Sequence, residues 1–220
     1  DGNEPAPDDA APVINIKARA LHLEALQGIG TSGNELEVEV NQVLKADGGE
    51  PGTFLFNNGL LALTEGALES SGPGPLTFEA GSIAIEDIVD DVAAIAAGRG
   101  LVLKTRSGNI VFLDSSDTIQ TQGTSITIEA RSSADRDEDG SPDNDAVAVL
   151  GNLQTDGGNI AISADRTITI GLFNAGMGHI AVVSDAGSIV DGNGVGVNDI
   201  AGSVALEGDA PNARQAELNE

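Results

Sequence analysis

Cysteine, tryptophan and tyrosine are absent, and phenylalanine occurs five times in 220 residues. Without cysteine there are no disulfide staples and no thiolate metal sites, and the redox compartment stays open. Without Trp or Tyr the chain lacks the stacking platforms on which sugar-binding grooves lean, and the residues richest in interface hot spots. Positive charge is scarce as well: ten Lys and Arg stand against 35 Asp and Glu, for a net charge of −25. Nucleic-acid binding needs a basic footprint, which is missing, and an anionic membrane surface is disfavoured for the same reason. No run approaches the roughly 18 apolar residues of a membrane span, so membrane insertion is not expected. No basic segment leads into an apolar stretch, as it would in a secretory signal. Opening on Asp1 rather than Met, the chain reads as a processed or excised piece whose export signal was removed or lies outside it.

Hydrophobic residues make up 40% of the chain, too many for a wholly disordered acidic segment. Residues 1–12 are acidic and rich in Pro and Ala, and read as a flexible arm or linker. Residues 208–220 have the same character and read as a polar tail. Between them, over 13–207, the dominant signal is short alternation of aliphatic with small or polar residues. Leu36-Glu37-Val38-Glu39-Val40, Leu76-Thr77-Phe78, Ile83-Ala84-Ile85, Ile126-Thr127-Ile128, Ile160-Ala161-Ile162 and Ile168-Thr169-Ile170 are examples. Each puts two or three aliphatic side chains on one face of a strand. Glycine, or a pair drawn from Gly, Asn, Asp and Ser, punctuates almost every gap.

A repeat runs through this pattern. Gly81-Ser82-Ile83, Gly108-Asn109-Ile110, Gly158-Asn159-Ile160, Gly178-His179-Ile180, Gly187-Ser188-Ile189 and Gly202-Ser203-Val204 share one form, which we expect to open strands. Their spacing suits coils of about twenty residues. Such a coil cannot bury its own apolar face; stacked turns at the ~4.8 Å strand spacing pair every backbone group and build a continuous aliphatic column. The rival is a β-sandwich, but sandwich cores draw on aromatics and sandwich turns vary more. The expected fold is therefore all-β, a single elongated parallel β-helix (β-solenoid) with flexible acidic ends.

Several segments resemble the repeats of filamentous-haemagglutinin-like exoproteins. They are Ala25-Leu26-Gln27-Gly28-Ile29-Gly30-Thr31 with Asn34-Glu35-Leu36-Glu37-Val38 and Val43-Leu44-Lys45-Ala46, then Gly52-Thr53-Phe54-Leu55-Phe56-Asn57-Asn58-Gly59-Leu60-Leu61-Ala62-Leu63. Gly100–Thr105 with Gly108-Asn109-Ile110-Val111-Phe112, and Gly187-Ser188-Ile189-Val190-Asp191-Gly192-Asn193-Gly194, are similar again. The likeness covers roughly residues 13–206, and its order and number carry it more than any one motif. It implies a right-handed parallel β-helix in a long secreted or surface-displayed bacterial protein, often an adhesin.

One stretch departs from the coil pattern. Asp135-Arg136-Asp137-Glu138-Asp139-Gly140-Ser141-Pro142-Asp143-Asn144-Asp145 falls in an acidic loop, 132–146, expected to be inserted into the solenoid. Carboxylates at alternate positions, with a glycine after the third, suit a hard cation wrapped by oxygens. An EF-hand fails, because the twelfth loop position is Ala146 rather than Glu. The spacing resembles the calcium loops of thrombospondin type 3 repeats instead. The candidate metal ligands are Asp135, Asp137, Asp139, Asp143 and Asp145, and the expected ion is calcium at roughly 0.1–1 mM. The alternative is a solvated acidic loop. Because the Gly-Gly-x-Gly-x-Asp pattern of calcium β-rolls is absent, the column itself should not need calcium.

The remaining chemistry is thin. His22 and His179 each flank an inward aliphatic residue, and read as surface side chains. Val92–Ala97 reads as a coil edge with alanines inward, or as a short helix. Gly192-Asn193-Gly194-Val195-Gly196 reads as a turn, since no helix follows to complete a phosphate site. Lys104 and Arg106 near Asp114 and Asp117 could serve a β-helical polysaccharide lyase, and paired carboxylates a hydrolase. The charge and the missing aromatics weigh against a sugar-acting enzyme. The expectation is a non-catalytic structural or adhesive solenoid, extracellular or at the cell surface, which contacts a host or neighbouring cell. The alternative is a calcium-assisted filament or matrix subunit that stacks on copies of itself end to end.

Overall fold

A computed structural model describes residues 13–69, 72–132, 144–194, 199–200 and 203–208. The first coils hold β1 (Ile16–Lys17), β2 (Ala20–Glu24), β3 (Leu36–Glu39), β4 (Gln42–Asp47), β5 (Thr53–Leu63), α1 (Glu65–Leu68) and β6 (Leu76–Ile85). The middle coils hold β7 (Val92–Ala94), β8 (Leu101–Thr105), β9 (Ile110–Phe112), β10 (Thr118–Gln120) and β11 (Ile126–Ala130). Then come β12 (Ala148–Val149), β13 (Asn152–Gln154), β14 (Ile160–Ala164), β15 (Ile168–Ile170) and β16 (Phe173–Asn174). The last are β17 (His179–Ser184), β18 (Ile189–Asp191), β19 (Asp199–Ile200) and β20 (Ser203–Gly208).

These strands wind into a parallel β-solenoid of about 7 turns. Each full coil contributes one strand to each of three faces. The first face stacks β8, β11, β14, β17 and β20 on the leading half of β6; the second stacks β9, β12, β15 and β18 on its trailing half. The third face is a separate sheet of β7, β10, β13, β16 and β19. In β5 and β6 one long strand runs across the corner and serves two faces.

Alternation sets which side chains go inside. In β8, β11 and β14 the first, third and fifth residues are buried and those between are half-buried. The register then aligns them into columns. On the first face Leu55, Phe78, Leu103, Ile128, Ile162 and Val182 stack coil on coil. Leu61, Ile83, Ile110, Ala148, Ile168 and Ile189 do so on the second, and Ala93, Ile119, Leu153 and Phe173 on the third. Nearly all of these are fully buried, each worth roughly 1.5–3 kcal/mol for a large aliphatic side chain.

Many polar groups at the corners are satisfied locally. The buried Thr105 hydroxyl donates to the Gly108 carbonyl at 2.6 Å, and Thr121 and Thr155 make the same bond to the carbonyls of Thr124 and Gly158. Where the ladder lapses, asparagines bridge coils: Oδ1 of Asn109, Asn152 and Asn159 accepts the backbone N–H of Val147, Leu172 and His179 at 2.8–2.9 Å. A buried N–H left without such a partner would cost stability.

Two sequence expectations need correction. The Gly-x-Ile repeat is two repeats, not one. Gly158 and Gly178 lead onto the first face, while Gly108 and Gly187 lead onto the second and Gly81 lies inside β6. Spacings taken between the two sets therefore mixed two corners. The helix is also unforeseen. Below β7, the four residues of α1 take the place of a third-face strand, with Ala67 and Leu68 buried. Glu65 and the following Glu69 accept the N–H groups of Val89 and Ala94 at 3.1 and 3.0 Å, closing the otherwise open edge of β7. The Val92–Ala94 segment is itself a strand with Ala93 inward, which settles that choice against a helix.

Candidate functional site

The acidic stretch falls, in sequence, at the corner between the first and second faces. At this corner Thr105 and Ile110 lie five positions apart, and Ala164 and Ile168 lie four apart; Ala130 and Ala148, which stack between them, lie eighteen apart. The pairing resumes in register on the far side. Neither face is shifted across this corner.

The root of the insertion is held by charge and by hydrogen bonds across three coils. Ser132 donates its N–H to Oδ2 of Asp165 at 2.6 Å, in a buried position. Oδ1 of Asp165 accepts from the Arg131 guanidinium at 3.0 Å, and Arg131 also pairs with Asp185. Burial works against the Arg131 charge, but the bonds to Asp165 and Asp185 outweigh it, and the guanidinium is held above its ordinary value. The Arg131 N–H rests on the Thr105 hydroxyl at 3.0 Å. The two limbs then meet: Asn144, in the left-handed region at φ 45°, donates its N–H to the Ser132 carbonyl at 3.1 Å. Beyond it Ala146 is fully buried, and its carbonyl accepts from the Arg166 N–H at 2.9 Å.

Of the five proposed metal ligands, Asp135, Asp137, Asp139 and Asp143 lie outside the described residues; Asp145 is described and is exposed. Among the described residues, no group of three or more His, Asp and Glu is placed to hold a metal ion.

The other candidates disperse. Lys104 pairs with Glu129 at 3.0 Å, and Arg106 pairs with Glu79 and lies 4.5 Å above the Phe56 ring. Asp114 accepts from the hydroxyl and N–H of Ser116, which hold its carboxyl below the usual range. Asp117 is buried in the corner between the second and third faces, away from both cations. The lyase-like grouping is therefore not assembled. His22 is exposed beside Glu24, and His179 is exposed against the Ser203 hydroxyl, so both are surface residues as expected. Gly192 and Gly194 lie in a turn, where Asp191 accepts the N–H groups of Asn193 and Gly194 at 2.8 and 3.1 Å; Val195 and Gly196 are outside the described residues.

A half-open cleft of about 590 Å³ runs along the first coils, among Glu24, Lys45, Asp47 and Glu50. Its charges are used internally. Lys45 pairs with Glu24, and Asp47 accepts from the N–H groups of Gly49 and Gly72 and faces the buried Arg99 at 3.9 Å.

The Arg131–Asp165–Asp185 root was missed in the sequence, although a signal was there. Arg106, Arg131, Asp165 and Asp185 each follow the last inward residue of a first-face strand, so they form one column of opposite charges. Comparison with protein-family models, with curated proteins and with solved structures finds no match.

Proposed function

We propose that the chain is a non-catalytic rod module of a secreted or surface-displayed bacterial protein, of the filamentous-haemagglutinin-like kind, which mediates attachment or cell–cell contact. The observation that carries this is the continuity of the inward columns across the described coils. The first-face column from Leu55 to Val182 spans the described coils, and the register holds across the corner where Ala130 and Ala148 lie eighteen positions apart. A scaffold built this way holds a loop at a fixed height on a stiff support. The acidic loop is then the presented element, with calcium bound by Asp135, Asp137, Asp139, Asp143 and Asp145 serving to order it.

Beads coated with the chain should be retained on bacterial or host cell layers in millimolar calcium. Replacing 133–143 by a short Gly-Ser linker should release them while the circular dichroism stays that of the parent. Retention no better than that of uncoated beads would sink the adhesive reading.

A filament subunit is the second reading. It is favoured by the end of the described ladder, where β18, β19 and β20 are each paired on one side among the described residues. Light scattering separates the two readings. A 22.1 kDa monomer in EDTA and in calcium fits the rod module, whereas large particles that grow with calcium and dissolve in EDTA fit the filament.

A further inference from the structure

Asp117 sits where the chain turns from the second face to the third, directly before β10. Its residue is fully buried. Oδ2 accepts one bond, from the Ile88 N–H in the coil below at 3.1 Å, and Oδ1 is enclosed without any hydrogen-bond partner. Its carbonyl accepts from the Asn152 N–H in the coil above at 2.7 Å. A Cβ placed on Gly151 would stand 2.6 Å from that carbonyl and 2.7 Å from the Phe112 ring, so the corner is closed from above. The same turn is tied below by Thr118, whose N–H donates to the Asp91 carbonyl at 2.8 Å.

The charges around this carboxyl are all of its own sign. Asp87 and Asp91 face it from the turn between β6 and β7, and Asp114 from its own turn, while the Leu150–Asn152 segment above brings no titratable group. Burial first, and then these three carboxylates, favour the neutral acid, against a single backbone N–H that favours the anion. A neutral carboxyl also turns the enclosed Oδ1 into a donor or a less costly acceptor, whereas an enclosed anion with one hydrogen bond is expensive.

We propose that Asp117 is a proton-linked latch. With its carboxyl protonated the corner joining three coils is closed, and when the carboxyl ionises that corner is the first point in the middle of the rod to loosen. This stands apart from the function proposed above and does not depend on it. The sign follows from linkage. The folded chain holds this proton more tightly than the unfolded chain does. The corner therefore carries no penalty at low pH, where both states are protonated, and the full penalty once pH has risen past the folded carboxyl's value.

The test is the melting temperature of Asp117→Asn against the parent chain from pH 4 to pH 8. The variant should melt about 2–4 °C higher at pH 8, and the gap should close as pH falls towards 4. An equal or lower melting temperature at pH 8, or a gap that does not change with pH, overturns the proposal. Should the variant fail to fold, carbon NMR of the Asp117 carboxyl in the parent chain decides. A titration midpoint above the ordinary aspartate value, lowered by Asp91→Asn, supports the latch, because asparagine tolerates the left-handed backbone of residue 91 (φ 58°). A midpoint at or below the ordinary value overturns it.

Discussion

The coils after the insertion and the coils at the start solve the same packing problem with different regularity. Between β12 and β18, successive strands pair at offsets of twenty or twenty-one residues, as in Ala148 with Ile168, Leu153 with Phe173, Ile160 with Ile180 and Ile168 with Ile189, and no bulge interrupts them; only at the last described strands does the offset lengthen, with Ile180 on Val204 and Phe173 on Asp199. Before β6 the offsets wander. Ile16 pairs with Val38, Leu36 with Leu55 and Thr53 with Leu76, and bulges fall at Leu21/His22 and Asn57/Leu60. The early coils also carry α1, the half-open cleft and Asp47, which faces the fully buried Arg99 of the next coil. A strict period lets one small set of residues do every job at every level. Where the period drifts, individual side chains such as Glu65, Glu69 and Asp47 must satisfy backbone groups that the ladder would otherwise have paired.

The sharpest way to break that comparison is to empty a column position in each region. Ile162→Ala, in the regular coils, should cost about 3–4 kcal/mol in urea denaturation, because coils above and below cannot collapse into the gap. Leu21→Ala, 6% exposed and beside a bulge, should cost roughly half as much, since that segment has room to adjust. Equal losses would mean that the irregular coils are packed as tightly as the regular ones. A smaller effect is expected at the corners. A side chain at Gly158 would run into the Thr124 carbonyl of the coil below, so Gly158→Ala should cost about 1–3 kcal/mol. Gly33→Ala, with nothing within 4 Å of the new methyl group, should change stability by less than about 0.5 kcal/mol. A similarly small effect belongs to the surface ladder between the two regions. Lys104→Gln removes the pair with Glu129 and should cost roughly 0.2–1 kcal/mol, less in high salt.

The same contrast explains what could be read in advance. Ile-x-Ile alternation closed by glycine is a strand with one buried face whatever its neighbours are, so the parallel solenoid and its coil length followed from Ile126–Ala130, Ile160–Ala164 and Ile168–Ile170. The long spacing between Ala130 and Ala148 at one corner was legible for the same reason, as a break in that rhythm. Corner assignment was not, because Gly-x-Ile suits either of two corners and only pairing tells them apart. Glu65–Leu68 has too little length to show helical periodicity, and its role depends on the unpaired edge of β7. The burial of Asp117 was equally hidden. It sits beside Asp114 in a polar run, and only the coils above and below enclose it.

The Ser132–Asn144 contact gives the corner above Ala130 the properties of a socket. Both limbs are fixed to the wall by Asp165, Asn109 and Arg166, so the count along the rod is kept by the anchored ends themselves. A change in the number of residues between these two anchored limbs is therefore expected to leave the pairing of every later coil as it is.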